Sequence, residues 1–109
     1  MLRPLDPELD SFVEAYVTSF LTWDVLLYFH RNEQDGFAAD DLALLLGRTA
    51  GDVERALQDL TDKNVLECDN SIYRFCAAGE LRDSVDNFVK ALHDRETRLN
   101  VLTAVLRNQ

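Results

Sequence analysis

Between residues 42 and 75 the apolar side chains switch from helical to strand-like spacing, and few folds accommodate the resulting order. Leu42, Leu45 and Leu46 predict a short amphipathic helix that begins near Asp40-Asp41 and is stopped by Gly47. After a brief turn, Thr49 and Asp52 make a near match to a capping box, with aspartate where glutamate is usual. Val53, Ala56, Leu57 and Leu60 follow at helical spacing, and that helix is expected to run out near Lys63-Asn64. Val65-Leu66-Glu67-Cys68 and Ile72-Tyr73-Arg74-Phe75 are β-prone runs separated by Asp69-Asn70-Ser71, which reads as a tight hairpin.

Helices are expected on both sides of this segment. Asp6-Pro7-Glu8 reads as a helix start, with a capping aspartate, a proline in the first turn and an acid where the dipole favours one. Leu9, Phe12, Val13, Tyr16, Val17 and Phe20 then mark one buried face. A second helix restarts near Thr22 and carries Trp23, Leu26, Leu27 and Phe29 inward, ending in the polar loop from His30 through Gly36. Residues 80–107 predict one long helix, about 42 Å for about 28 residues.

The residues as well as the order resemble those of winged helix-turn-helix domains over residues 22–75. Trp23-Asp24-Val25-Leu26-Leu27-Tyr28-Phe29 resembles their first core helix, and Asp41-Leu42-Ala43-Leu44-Leu45-Leu46-Gly47 resembles the positioning helix and its turn. Val53-Glu54-Arg55-Ala56-Leu57-Gln58-Asp59-Leu60, followed by Lys63-Asn64-Val65-Leu66, resembles the recognition helix leading into the wing. With its flanking helices the chain is similar to dimeric repressors of the multiple-antibiotic-resistance and arsenical-resistance types. The resemblance implies a mainly α fold with a small β-hairpin (α+β), in one domain over residues 1–109. Its parts are an N-terminal helix (1–21), a winged-helix core (22–76) and a C-terminal dimerisation helix (78–108). The recognition-like helix has no cysteine, so the metal site of some arsenical-type regulators does not carry over, and no cofactor is expected.

Charge divides the functional expectation. The formal net charge is −9, from 20 acidic and 11 basic side chains, whereas nucleic-acid binders usually carry a basic footprint. Within residues 35–62 seven acids face only Arg48 and Arg55, leaving −5. The leading expectation is therefore a protein-binding module whose acidic face (Asp40, Asp41, Asp52, Glu54 and Asp59) docks a partner with a basic surface. The alternative is a transcriptional regulator that reads DNA through the helix at 49–62 and the wing at 65–75, with Arg48, Thr49, Arg55, Gln58 and Arg74 as contacts. An acidic chain adapted to high salt is a third reading, in which charge reflects the solvent and not the partner.

Leu81, Val85, Phe88, Leu92, Arg95, Leu99, Leu102 and Leu106 follow an alternating four–three spacing, a heptad seam with arginine in one core slot. That seam predicts a homodimer interface. A single helix closing the monomer core is the competing reading. Nothing points to catalysis or a metal: His30 and His93 stand at no ligand spacing from Cys68 or Cys76, and no glycine-rich phosphate loop or nucleophile elbow occurs. No apolar run is long enough for a bilayer, and the opening residues lack a secretory signal's apolar core. Two reduced thiols in a cytoplasmic protein without membrane contact are the expectation.

Overall fold

A computed structural model describes residues 5–108; the opening residues 1–4, read above for a secretory signal, lie outside the described residues, as does residue 109. The chain is mainly helical with a small antiparallel sheet, and it divides into two compact units. One is Leu21–Ala77; the other joins the segments before and after it.

The flanking unit is helical. Helix α1 (Pro7–Tyr16) begins as its sequence dictates, with the Asp6 carboxylate accepting the Glu8 amide at 2.8 Å and Pro7 at the first helical position. It ends four residues earlier than the apolar spacing suggests, because Val17 leaves helical geometry while its amide still reaches the Val13 carbonyl. Phe12 stacks on Tyr16 at 4.9 Å and meets Phe88 of α5 (Gly79–Ala91) at 5.2 Å. Helix α6 (Arg95–Asn108) packs on α1 and buries Val101, Ala104 and Val105.

The long C-terminal helix expected from the heptad spacing is thus two helices, broken at residues 92–94. The cause is a cap. The Asp94 carboxylate accepts the Thr97 amide at 3.0 Å and the Thr97 hydroxyl at 2.7 Å, so the chain restarts instead of continuing. Val85 and Phe88 are wholly buried in the single chain and are unavailable to a second copy. Leu81 and Leu92 are half-buried, and Arg95, Leu99, Leu102 and Leu106 stand exposed on α6. The seam therefore changes sides at the break.

In the central unit α2 (Phe20–Arg31) starts earlier than Thr22 and buries Leu21 and Val25 besides Trp23, Leu26 and Phe29, while Leu27 is only half-buried. The polar loop after it leads into a strand that the sequence did not announce, β1 (Phe37–Ala38). Phe37 meets the rings of Tyr28 at 5.0 Å and Phe29 at 5.5 Å, both edge-on. Helix α3 (Ala39–Leu46) follows directly and ends at Gly47 in the left-handed region (φ 67°). Of its leucines only Leu42 is fully buried; Leu45, expected inward, is 61% exposed.

Helix α4 (Ala50–Asp62) is capped by Thr49, whose hydroxyl accepts the Asp52 amide at 3.3 Å. Val53, Ala56, Leu57 and Leu60 form its buried face, as their spacing requires. Asn64, at φ 66°, turns the chain into β2 (Leu66–Asp69), which pairs with β3 (Ile72–Phe75). The sheet order is β1-β3-β2, all antiparallel, with Phe37 opposite Tyr73 and Glu67 opposite Arg74. Gly36 makes the β1 edge feasible, since a Cβ there would lie 2.5 Å from Ile72 Cγ2 and 2.8 Å from Arg74 Cζ.

The hairpin turns on Asn70 and Ser71, both at positive φ (52° and 66°), as a type I′ turn demands. Asparagine suits this and serine does not. Ser71→Gly is expected to stabilise the unit by about 0.5 kcal/mol after the larger chain entropy of glycine is discounted. That amounts to a rise of about 2–4 °C in melting temperature by circular dichroism, and a fall would contradict the turn geometry.

Candidate interaction surface

The outward side of α4 carries Gly51, Glu54, Arg55, Gln58 and Asp62, with Asp52 and Asp59 half-buried along one flank. Helical spacing pairs these groups with one another. Arg55 is ion-paired to Asp52, one turn before it. Gln58 donates to the Asp62 carboxylate at 2.8 Å, and Lys63 reaches Asp59 at 3.1 Å. The polar groups best placed to meet a phosphate are thereby engaged by carboxylates of their own helix. Thr49 acts as the cap.

The two basic groups outside α4 stand apart from it. Arg48 is exposed in the turn between α3 and α4, where its amide donates to the Ala43 carbonyl at 3.0 Å. Arg74 is exposed on β3, opposite Glu67, with its guanidinium lying close to Gly36. Arg48, Thr49, Arg55, Gln58 and Arg74 are therefore distributed over a turn, a helix and a strand.

The five acids form no single face either. Glu54 lies close enough to the hairpin for its charge to act on Tyr73, which stands opposite Cys68. Burial pushes the Tyr73 phenol above its ordinary value, helped by its hydrogen bond and charge interaction with Cys68 and by the Glu54 carboxylate. Asp52 and Asp59 lie on the α4 flank, neutralised by Arg55 and Lys63. Asp40 and Asp41 occupy the first turn of α3, where the helix dipole favours them, and neither has an ion-paired side chain among the described residues.

Both cysteines are free thiols. Cys68 is exposed; Cys76 is half-buried and donates to the Asn64 carbonyl at 3.5 Å. Burial, aided by the Glu67 charge, raises the Cys76 thiol, which makes it a poor thiolate near neutral pH. Among the described residues no group of three His, Cys, Asp or Glu side chains is arranged to hold a metal ion. No helix among them is long and apolar enough to cross a membrane. In the helical unit a cleft of about 230 Å³ runs between α1 and α5, lined by Leu9, Phe12 and Ala91 with the polar groups of Asp6, Glu8, Ser84 and Asn87.

The surface feature that sequence reasoning missed is apolar. Leu44 and Leu45 are 84% and 61% exposed on α3. A signal was present, since three consecutive leucines spread over about 200° of a helix and cannot all face one core. Comparison of the chain with protein-family models, with curated proteins and with solved structures finds no match.

Proposed function

We propose that the chain is a non-catalytic regulatory module built on a winged helix-turn-helix, which acts through protein contacts on its acidic surface and pairs with a second copy through α6. The winged-helix reading of Leu21–Ala77 is supported by the succession α2, β1, α3, α4, β2, β3 and by the tight turn at Gly47 between α3 and α4. The observation that carries the protein-binding reading is the internal pairing on α4. With Arg55 engaged by Asp52 and Lys63 by Asp59, the nearby cations are offset, and Glu54 and Asp62 leave this helix a net negative face toward a duplex. Facing carboxylates toward phosphates lowers affinity, and no counterion release compensates.

Pairing through α6 is supported by its exposed stripe. Leu99, Leu102 and Leu106 continue a heptad spacing headed by Arg95, while Val101, Ala104 and Val105 are the buried residues of α6. A strict heptad stripe is the width that one further helix covers, and the same stripe on a second copy matches it.

Titration of a labelled mixed-sequence duplex at about 50 mM salt tests the reading of α4, because non-specific affinity is greatest at low salt. No change in anisotropy is expected up to about 10 μM protein. Binding that fades steeply with added salt, and weakens in Arg55→Ala and Arg74→Ala, would hand the site to the DNA-reading alternative.

A further inference from the structure

The outward ridge of α3 and its closing turn reads, in chain order, acid, acid, leucine, leucine, arginine. Asp40 and Asp41 stand one turn before Leu44 and Leu45, and Arg48 follows in the turn after the helix; all five are exposed. Leu44 and Leu45 show more of their surface than any other large apolar residue of the described chain. Adjacent on one helix and flanked by charged groups, they form a small contiguous apolar patch of the kind that marks a contact surface. Its chemistry also selects the contact, because the order is complementary to its own reverse.

We propose that α3 is a two-fold self-association surface, packing antiparallel on α3 of a second copy. Leu44 then lies against the partner's Leu45, and Asp41 against the partner's Arg48. The axis falls between Leu44 and Leu45, so one register satisfies both pairs at once. An isologous contact requires this reciprocity, in which each residue meets its opposite number twice. The helix dipoles agree with it, since the negative end of one α3 adjoins the positive end of the other. Asp52, Asp59 and Asp62 of α4 already have partners close along the chain, whereas Asp41 has none among the described residues, so its charge is available to Arg48 of the partner subunit.

A helix of eight residues offers well under the ~800 Å² per partner of a standard interface, so the contact is weak by itself. A second link between copies strengthens it within one pair only where both contacts share the same two-fold axis, because tethering then raises the effective concentration of α3. The proposal does not depend on the reading of α4, and none of its test substitutions touches that helix.

Sedimentation equilibrium of the full chain over a concentration series at low salt provides the test. Leu44→Ser/Leu45→Ser serves as the baseline, retaining only association made elsewhere. The wild type is expected to exceed that baseline at high concentration. Asp41→Arg and Arg48→Asp are each expected to weaken the excess association about tenfold, because each substitution acts twice in a two-fold contact. An equimolar mixture of the two variants, or both substitutions in one chain, restores opposite charges across the axis and is expected to recover it. A wild type that matches the baseline throughout overturns the proposal. Single variants that associate like the wild type, or a mixture that fails to recover, overturn it equally, since either breaks the register.

Discussion

Replacing Phe29 with alanine is expected to destabilise the central unit by about 3–5 kcal/mol, the largest loss from a single substitution here. Phe29 has no exposed surface and lies on the last full turn of α2, edge-on to Phe37 at 5.5 Å. Truncation removes the transfer free energy of the ring and leaves a cavity that neighbours close only in part. It also withdraws one of the two rings that hold Phe37, and Phe37 is half of β1. A two-residue strand has little pairing of its own, so β1 depends on that packing to reach β3. Urea unfolding followed by Trp23 fluorescence gives the loss as a shift in midpoint. A change below about 1.5 kcal/mol would mean that Phe29 is not in the core. Leu45→Ala, 61% exposed, is the internal control and is expected within about 0.5 kcal/mol of wild type.

The contrast between Phe29 and Leu45 also shows where the fold is legible from the chain. Local chemistry reads correctly: the Asp6 and Thr49 caps, the Gly47 stop and the Asn70-Ser71 hairpin all lie where short-range rules place them. What failed depends on contacts distant in sequence or on two local rules in conflict. Strand β1 is too short for any period, and its partners Ile72 and Tyr73 come more than thirty residues later. At residues 92–94 the apolar spacing ran on without a slip, but the carboxylate of Asp94 found a better partner in the Thr97 amide than a continuing helix offered. The charges of the surface and their balance are legible in the sequence. Their pairing was legible too, since Asp52–Arg55, Gln58–Asp62 and Asp59–Lys63 stand at the three- and four-residue spacings at which helical side chains meet.

Serine at Leu99, Leu102 and Leu106 together is expected to convert a dimer into a monomer while leaving the helical unit folded. The separation of these effects rests on which side of α6 each residue occupies. Val101, Ala104 and Val105 are buried and tie the helix to its own chain; Leu99, Leu102 and Leu106 are 39%, 41% and 57% exposed and contribute less to that packing. Serine keeps moderate helix propensity, so three substitutions on the outer side reduce helix stability by about 1–1.5 kcal/mol in sum. In a paired seam the same positions are the knobs on which association depends, and removing them abolishes the apolar contact. Light scattering coupled to gel filtration at about 50 μM, where a dissociation constant in the micromolar range leaves dimer populated, is expected to show the mass halved with the circular dichroism spectrum unchanged. A wild type that is already monomeric there would leave α6 without its second copy. A variant that stays dimeric would move the interface off the stripe and onto another surface of the chain. Loss of helical signal alongside the mass would mean that the covered parts of these leucines hold the monomer together.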